Sequence, residues 1–293
     1  MSTKSILSRF KNCVSRMLPQ RIVQVPVYIP VLHSTLLKGR MVLITRGTKG
    51  IGNAIARAVI ASGGRCIITG RNKANVDACV EKLNSGEGRQ DVAYGIDMEM
   101  QEVESFDAKY QQIKDMTGGV DVLVNNAGSL NFAKFGATSK ADFDEVLNTN
   151  LRGAFMLSQI IADDWIKHGV KGNILNVCSS SSLRPANSPY NLSKWALRGM
   201  TPGFAKVLAP YGITVNGIAP GPTATIGFVG ANNKTLARPQ MPSGRLITEE
   251  EVANLAVVLI SDMGRMVIGD VLYVTAGCGI LTQDDCRFPF GKA

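Results

Sequence analysis

From Met41 onward, short apolar runs of strand length alternate with longer stretches in which apolar residues recur at helical spacing. Few folds accommodate that alternation. Repeated strand–helix–strand units build a parallel sheet with helices on both faces. Strands are expected near 41–45 (MVLIT), 64–69 (GRCIIT), 91–96, 120–125 (VDVLVN), 172–178 (GNILNVC), 212–217 (GITVNG) and 269–275 (GDVLYVT). The expected fold class is therefore α/β, a doubly wound seven-stranded parallel sheet forming a single domain over 41–293. Right-handed crossovers place the strand C-termini along one edge, where ligands bind in such sheets. The stretch 222–247 breaks the alternation with Gly, Pro and Asn, and its length predicts a mobile lid over a binding site.

Residues 1–40 differ in kind. They hold seven of the 32 basic side chains (Lys4, Arg9, Lys11, Arg16, Arg21, Lys38, Arg40) and no acid, so 25 basic residues face 23 acidic ones in the remainder. The net charge of +9 thus belongs to this extension, and the body carries no basic stripe able to follow a nucleic-acid backbone. Within residues 5–18, Ile6, Leu7, Phe10, Val14, Met17 and Leu18 share one helical face flanked by Arg9, Lys11 and Arg16, and Pro19 ends the run. Three readings stand: peripheral contact with an anionic membrane surface, a targeting presequence, or a helix packed on the body or on another subunit. Residues 20–37, with Pro26 and Pro30, read as an extended tether.

Six scattered cysteines without a C-x-x-C pair fit reduced thiols in a cytoplasmic setting. With two histidines, His33 and His168, no metal site is expected. No apolar run approaches the roughly 18 to 20 residues that span a bilayer.

The first strand leads directly into T-R-G-T-K-G-I-G at 45–52 and then into an apolar-periodic helix. Glycines at such a junction let the backbone approach a pyrophosphate, which the helix N-terminus holds through its N–H groups and dipole. A plain tight turn is the alternative. The next strand ends in Thr69-Gly70-Arg71-Asn72, without the carboxylate that would accept hydrogen bonds from a ribose 2′-hydroxyl. Arg71 and Lys49 can instead converge on a 2′-phosphate, which favours NADP(H) over NAD(H). Farther along, Tyr190 and Lys194 lie four apart in a segment of helical character, so both project from one face. An ammonium one turn away is expected to lower the phenol's pKa toward the working range of a general acid or base.

These features form an ordered series. The turn at Thr45, Arg46, Gly47, Lys49, Gly50, Ile51 and Gly52 is followed by Asp97-Met98 and by N-N-A-G at 125–128, which includes Asn126, Ala127 and Gly128. Asn150 in N-L-R-G, Ser179, Y-N-L-S-K from Tyr190 to Lys194, and P-G-P-T-A-T from Pro220 to Thr225 come next. From Met41 to about Gly277 the chain resembles the short-chain dehydrogenase/reductase family in its compact form.

The resemblance implies a Rossmann-type fold, a homo-oligomer, and hydride transfer between NADP(H) and an alcohol or ketone. It assigns proton exchange to Tyr190, the nicotinamide ribose to Lys194, orientation of the reacting oxygen to Ser179, and a helix bend with a water chain behind the lysine to Asn150. Thr225 would contact the carboxamide, and the glycine turn with Arg71, Asn72, Asp97, Met98, Asn126, Ala127, Gly128, Pro220, Gly221 and Thr223 would surround the dinucleotide. Counting back from Tyr190 by the usual gap reaches Val177 instead of Ser179, so the serine loop is shorter than usual and Ser180 is the second choice.

Two departures keep a rival open, a catalytically impaired cofactor sensor or membrane-surface scaffold. Arg46 occupies the place of the family's first glycine, and Thr275-Ala276 that of its common Asp-Gly. The arginine can swing outward, add charge near the phosphates, or block binding, while Gly47 can absorb part of the backbone demand. The substrate pocket is expected to draw on Leu183, Arg184, Pro185 and Ala186 and on Ile226, Phe228 and Val229 of the lid. Arg184 either recognises an anionic substrate group or is an ordinary exposed arginine.

Overall fold

The computed structural model of the chain describes residues 34–86, 91–130, 135–225 and 235–281. Seven strands, β1 (Met41–Ile44), β2 (Arg65–Gly70), β3 (Ala93–Asp97), β4 (Val122–Asn125), β5 (Asn173–Val177), β6 (Thr214–Pro220) and β7 (Val271–Val274), form one sheet in the order β3-β2-β1-β4-β5-β6-β7. Every pairing is parallel. The chain winds outward from β1 and then returns beside it as β4, which opens a crevice at the carboxyl ends of those two strands.

The side-chain alternation of each strand feeds two helical layers. Val42, Ile44, Val122, Val124 and Leu175 bury against α1 (Gly50–Ala61) and α7 (Glu249–Ile260), with α2 (Lys73–Asn84) on the same side. Leu43, Ile67, Leu123 and Ile174 face α3 (Phe106–Thr117) and α5 (Gly153–His168), where Phe106, Ile113, Leu157 and Trp165 fill the layer. The central strands are therefore buried on both faces, and their nearly continuous apolar runs follow from that.

Local sequence sets where the helices start. Asn72 caps α2, a Ser139–Asp142 capping box opens α4 (Lys140–Leu147), and a Thr248–Glu251 box opens α7. The longest, α6 (Pro189–Leu208), begins with Ser188 as cap and Pro189 in its first turn. At the start of α1, Lys49 stands at the cap without a side-chain hydrogen bond, and the first turn holds no acid.

A polar thread crosses the buried centre of the sheet. The Asn125 amide donates to Ser158 Oγ on α5 and to Asn176 Oδ1 on β5, both at 2.9 Å, and the Asn176 amide donates to Thr201 Oγ1 on α6 at 3.0 Å. All four residues are buried.

Each expected strand is present, with no end displaced by more than three residues; β6 runs on to Pro220. The expected tether ends early, because residues 35–39 form a turn whose Leu37 is fully buried against α1. The amphipathic face at 5–18 and the lid residues Ile226, Phe228 and Val229 lie outside the described residues. The described part of 222–247 is tied to itself by bridges between Thr223 and Ile247 and between Ala237 and Arg245, and to the body where Met241 and Leu246 bury with Cys278 and Ile247 joins the core beside α7. Among the described residues, no helix is long and apolar enough to cross a membrane.

Candidate active site

The turn between β1 and α1 is built from behind. Thr45 Oγ1 accepts the Asn126 and Ala127 backbone N–H groups, both at 2.9 Å, and the Asn126 amide donates to the carbonyls of Thr45 and Arg46 at 2.9 and 3.2 Å. Gly52 and Gly47 permit this closeness, since a Cβ on Gly52 would lie 2.4 Å from Asn126 Nδ2 and one on Gly47 2.6 Å from Ile68. Turn and β4 exit are thereby joined into one rim. The uncapped, acid-free start of α1 opens onto it, a ready position for phosphate.

Arg46 takes a backbone conformation that glycine adopts without strain. Its φ is +52°, in the left-handed region that costs a residue with a Cβ about 1 kcal/mol. Gly47, which was expected to absorb this demand, does not have positive φ; it is needed for its missing side chain. Ala276, the other departure, repeats the pattern with φ +52°.

Two adjoining cavities, of about 240 and 200 Å³, follow the crevice and share Arg46, Lys49 and Leu130 as walls. The first also takes in Gly50, Ile51, Asn126, Gly128, Ser179, Tyr190, Lys194, Pro220, Gly221, Thr223 and Thr225. The second runs past Arg71, Asn72, Met98 and Ala127. Of the expected cofactor contacts, Thr45, Gly47, Gly52 and Asp97 line neither cavity; the first three shape the turn from behind. Asp97 is engaged by Lys109 at 2.9 Å, which holds its carboxyl below the usual range.

Sequence reasoning missed Glu99 and Glu145 on the second cavity. Glu99 sits 3.7 Å from the Arg71 guanidinium, whose side chain is 72% exposed. It directly follows the Asp97-Met98 landmark, so its place was readable; Glu145 arrives through the fold alone. Another carboxyl, Glu249 at the start of α7, stands beside the glycine turn, and burial pushes its pKa up. Among the described residues, five cationic side chains line the two cavities (Arg46, Lys49, Arg71, Arg184, Lys194) against two carboxylates, so the crevice suits a polyanion.

The other cluster stands on α6 and the β5 exit. Tyr190 and Ser179 are each 8% exposed, and the serine hydroxyl hydrogen-bonds the phenol while accepting from the Ser181 N–H at 3.1 Å. Lys194, 5% exposed, donates to the Val177 carbonyl at 2.8 Å, with its Nζ 5.7 Å from the Tyr190 ring centre. Asn150 lies in a π-helical turn, Asn148–Arg152, between α4 and α5. It accepts the Ser129 N–H at 2.6 Å and donates to Ser193 Oγ at 3.0 Å, which in turn donates to the Tyr190 carbonyl at 2.7 Å. Asn150 thus ties the wall below the crevice to the first turn of α6.

The electrostatics correct one expectation. Burial pushes the Tyr190 phenol above its ordinary value, with the Ser179 hydrogen bond pulling the other way, in place of the lowering expected from Lys194. Burial likewise pushes the lysine itself down to about 8, and Arg46 adds to the fall. Both shifts follow from the exclusion of water around the pair. Among the described residues, no group of three or more His, Cys, Asp or Glu side chains is placed to hold a metal ion.

A family model for short chain dehydrogenase matches residues 40–235. The 3-oxoacyl-acyl-carrier-protein reductase FabG of Aquifex aeolicus is 34% identical over 247 residues, covering 82% of this chain and 98% of that protein. Gluconate 5-dehydrogenase of Gluconobacter oxydans is 31% identical over 251 residues, covering 82% and 95%. A crystal structure of gluconate 5-dehydrogenase from Burkholderia cenocepacia, in complex with NADP and tartrate, superposes with a TM-score of 0.76 at 30% identity, over 83% of this chain and 97% of that one. Sheet order, glycine turn and relatives agree, and the chain belongs to the short-chain dehydrogenase/reductase family of NAD(P)-using oxidoreductases.

Proposed function

We propose that the protein is an NADP(H)-dependent oxidoreductase that interconverts a small-molecule ketone and alcohol, with Tyr190 as the general acid and base. The observation that carries this reading is the buried cluster of Tyr190, Ser179 and Lys194 on the wall of a cavity that continues past Arg46 into a cationic groove. The residues suit a dinucleotide. The start of α1 offers unpaired N–H groups, and Gly128 leaves room beside Lys194 and Asn150, its nearest side-chain atoms being 3.6 Å or more from where a Cβ would stand.

When bound, the nicotinamide supplies or accepts the hydride at the carbonyl carbon. Ser179 and Tyr190 hold the carbonyl oxygen, and the Tyr190 phenol gives it a proton as negative charge develops there. A phenol whose pKa is raised by burial is fully protonated at neutral pH, which suits the reductive direction. Lys194 would hold the nicotinamide ribose of the cofactor. Lys49 and Arg71 would meet the 2′-phosphate, and β2 ends without a carboxylate to oppose it. The NADP complex of the Burkholderia relative supports the same cofactor.

The test is NADPH consumption over a panel of small ketones, run with the wild-type protein and with Tyr190→Phe. Turnover of at least one ketone is expected, falling 100-fold or more in the variant while NADPH affinity stays within about threefold. Equal turnover by both proteins refutes the assigned acid, and failure of the wild-type protein to bind NADPH at millimolar concentration favours the non-catalytic rival.

A further inference from the structure

Arg46 is the one feature of the crevice that the family pattern leaves unexplained. Its backbone is pinned: the N–H donates to Thr69 Oγ1 at 3.1 Å and the carbonyl accepts from Asn126. Nothing in that arrangement uses the side chain, yet the chain carries the strain of a left-handed arginine where glycine would carry none. The guanidinium does not swing out into solvent. Arg46 lines both cavities, and its charge is felt by Lys194 on one side and Arg71 on the other.

A group within electrostatic reach of both ends of a groove stands at the middle of whatever fills it. If a dinucleotide lies there, with its nicotinamide ribose at Lys194 and its adenosine ribose at Arg71, the part between is the diphosphate. Glu99 and Glu145 also lie within the field of Arg46 and partly compensate its charge in the protein alone. We propose that the Arg46 guanidinium is a side-chain ligand for the central diphosphate of the cofactor, adding a charge-assisted contact to the N–H groups of the glycine turn. Guanidinium is suited to the role because its planar donors match phosphate oxygens two at a time.

This inference rests on the dinucleotide reading above, and the experiment separates the two. Binding of NADPH, NADH, ADP-ribose and 2′-AMP is measured by calorimetry for the wild-type protein, Arg46→Gln and Arg46→Gly. Both variants are expected to weaken NADPH, NADH and ADP-ribose by a common factor of about ten or more, because all three carry the diphosphate, and to leave 2′-AMP unchanged. The variants should also show a shallower loss of affinity with added salt. Melting temperature checks folding, and Arg46→Gly should melt at or above the wild-type temperature as the left-handed strain is removed. Unchanged or tighter ADP-ribose binding by the variants overturns the proposal, tighter binding meaning that the side chain plugs the groove. A loss confined to NADPH and 2′-AMP overturns it in favour of a 2′-phosphate contact. If the wild-type protein binds none of the four, the dinucleotide reading falls first and takes this one with it.

Discussion

Replacing Lys194 by methionine should make the protein more stable at neutral pH and less so in alkali, even as it abolishes turnover. Burial lowers the lysine from its ordinary value of 10.5 to about 8, so the folded state binds fewer protons than the unfolded chain between those limits. Stability therefore rises with pH across that window, and below pH 8 the fold bears the whole penalty of a buried ammonium. At about 1.4 kcal/mol per pH unit, the gap between 10.5 and 8 corresponds to about 3 kcal/mol. Methionine removes that penalty with nearly the same length of chain. It also removes the 2.8 Å donor to the Val177 carbonyl, a loss of about 1 to 2 kcal/mol. The balance is a gain of about 1 to 2 kcal/mol at pH 7 that shrinks above pH 8 and reverses by pH 10.5. Urea unfolding of both proteins at pH 7, 8.5 and 10, followed by tryptophan fluorescence, reads the difference directly, since every other titrating group is common to the two. A stability gap that stays constant over this range would show that Lys194 does not titrate in the window and would refute the reasoning.

Other perturbations test separate parts of the site. Ala276→Gly should raise stability by up to about 1 kcal/mol, seen as a rise of a few degrees in melting temperature, because φ +52° suits glycine; a lower melting temperature would mean that the alanine methyl's packing outweighs the strain. Gly52→Ala should cost about 1 to 3 kcal/mol of stability and weaken cofactor binding, since its Cβ would meet the Asn126 amide at 2.4 Å and the Arg46 carbonyl at 2.8 Å; wild-type melting and affinity would contradict the packing described for the rim. Arg71→Ala should weaken NADPH about tenfold and NADH little, measured by fluorescence titration, and equal losses would remove Arg71 from the 2′-phosphate site.

The positions of the strands along the chain, the crevice and the two clusters of polar side chains were legible because each is marked by short-range pattern. Apolar runs of four to six residues mark strands buried on both faces, and glycines mark places where a Cβ has no room. What escaped depends on distance in three dimensions. Glu145 reaches the groove from α4, and no spacing in the sequence announces it. The phenol's pKa was misjudged for the same reason: helical spacing reveals the lysine next to Tyr190 but not how completely water is excluded from both. Arg46 was legible as an anomaly, and only its dihedral angle shows that it carries left-handed strain.

The amide thread through Asn125 and Asn176 has a bearing on how the two walls of the crevice stay matched. In a purely apolar interior, sliding β5 along β4 would exchange one greasy contact for another. Here a one-residue slip would turn both amides toward opposite layers and leave buried donors with nothing to bind, at several kcal/mol. Because Asn125 leads straight into the glycine-turn clasp and Asn176 into the serine loop, the same lock that keeps the strands in step also keeps the distance between the two halves of the site from drifting.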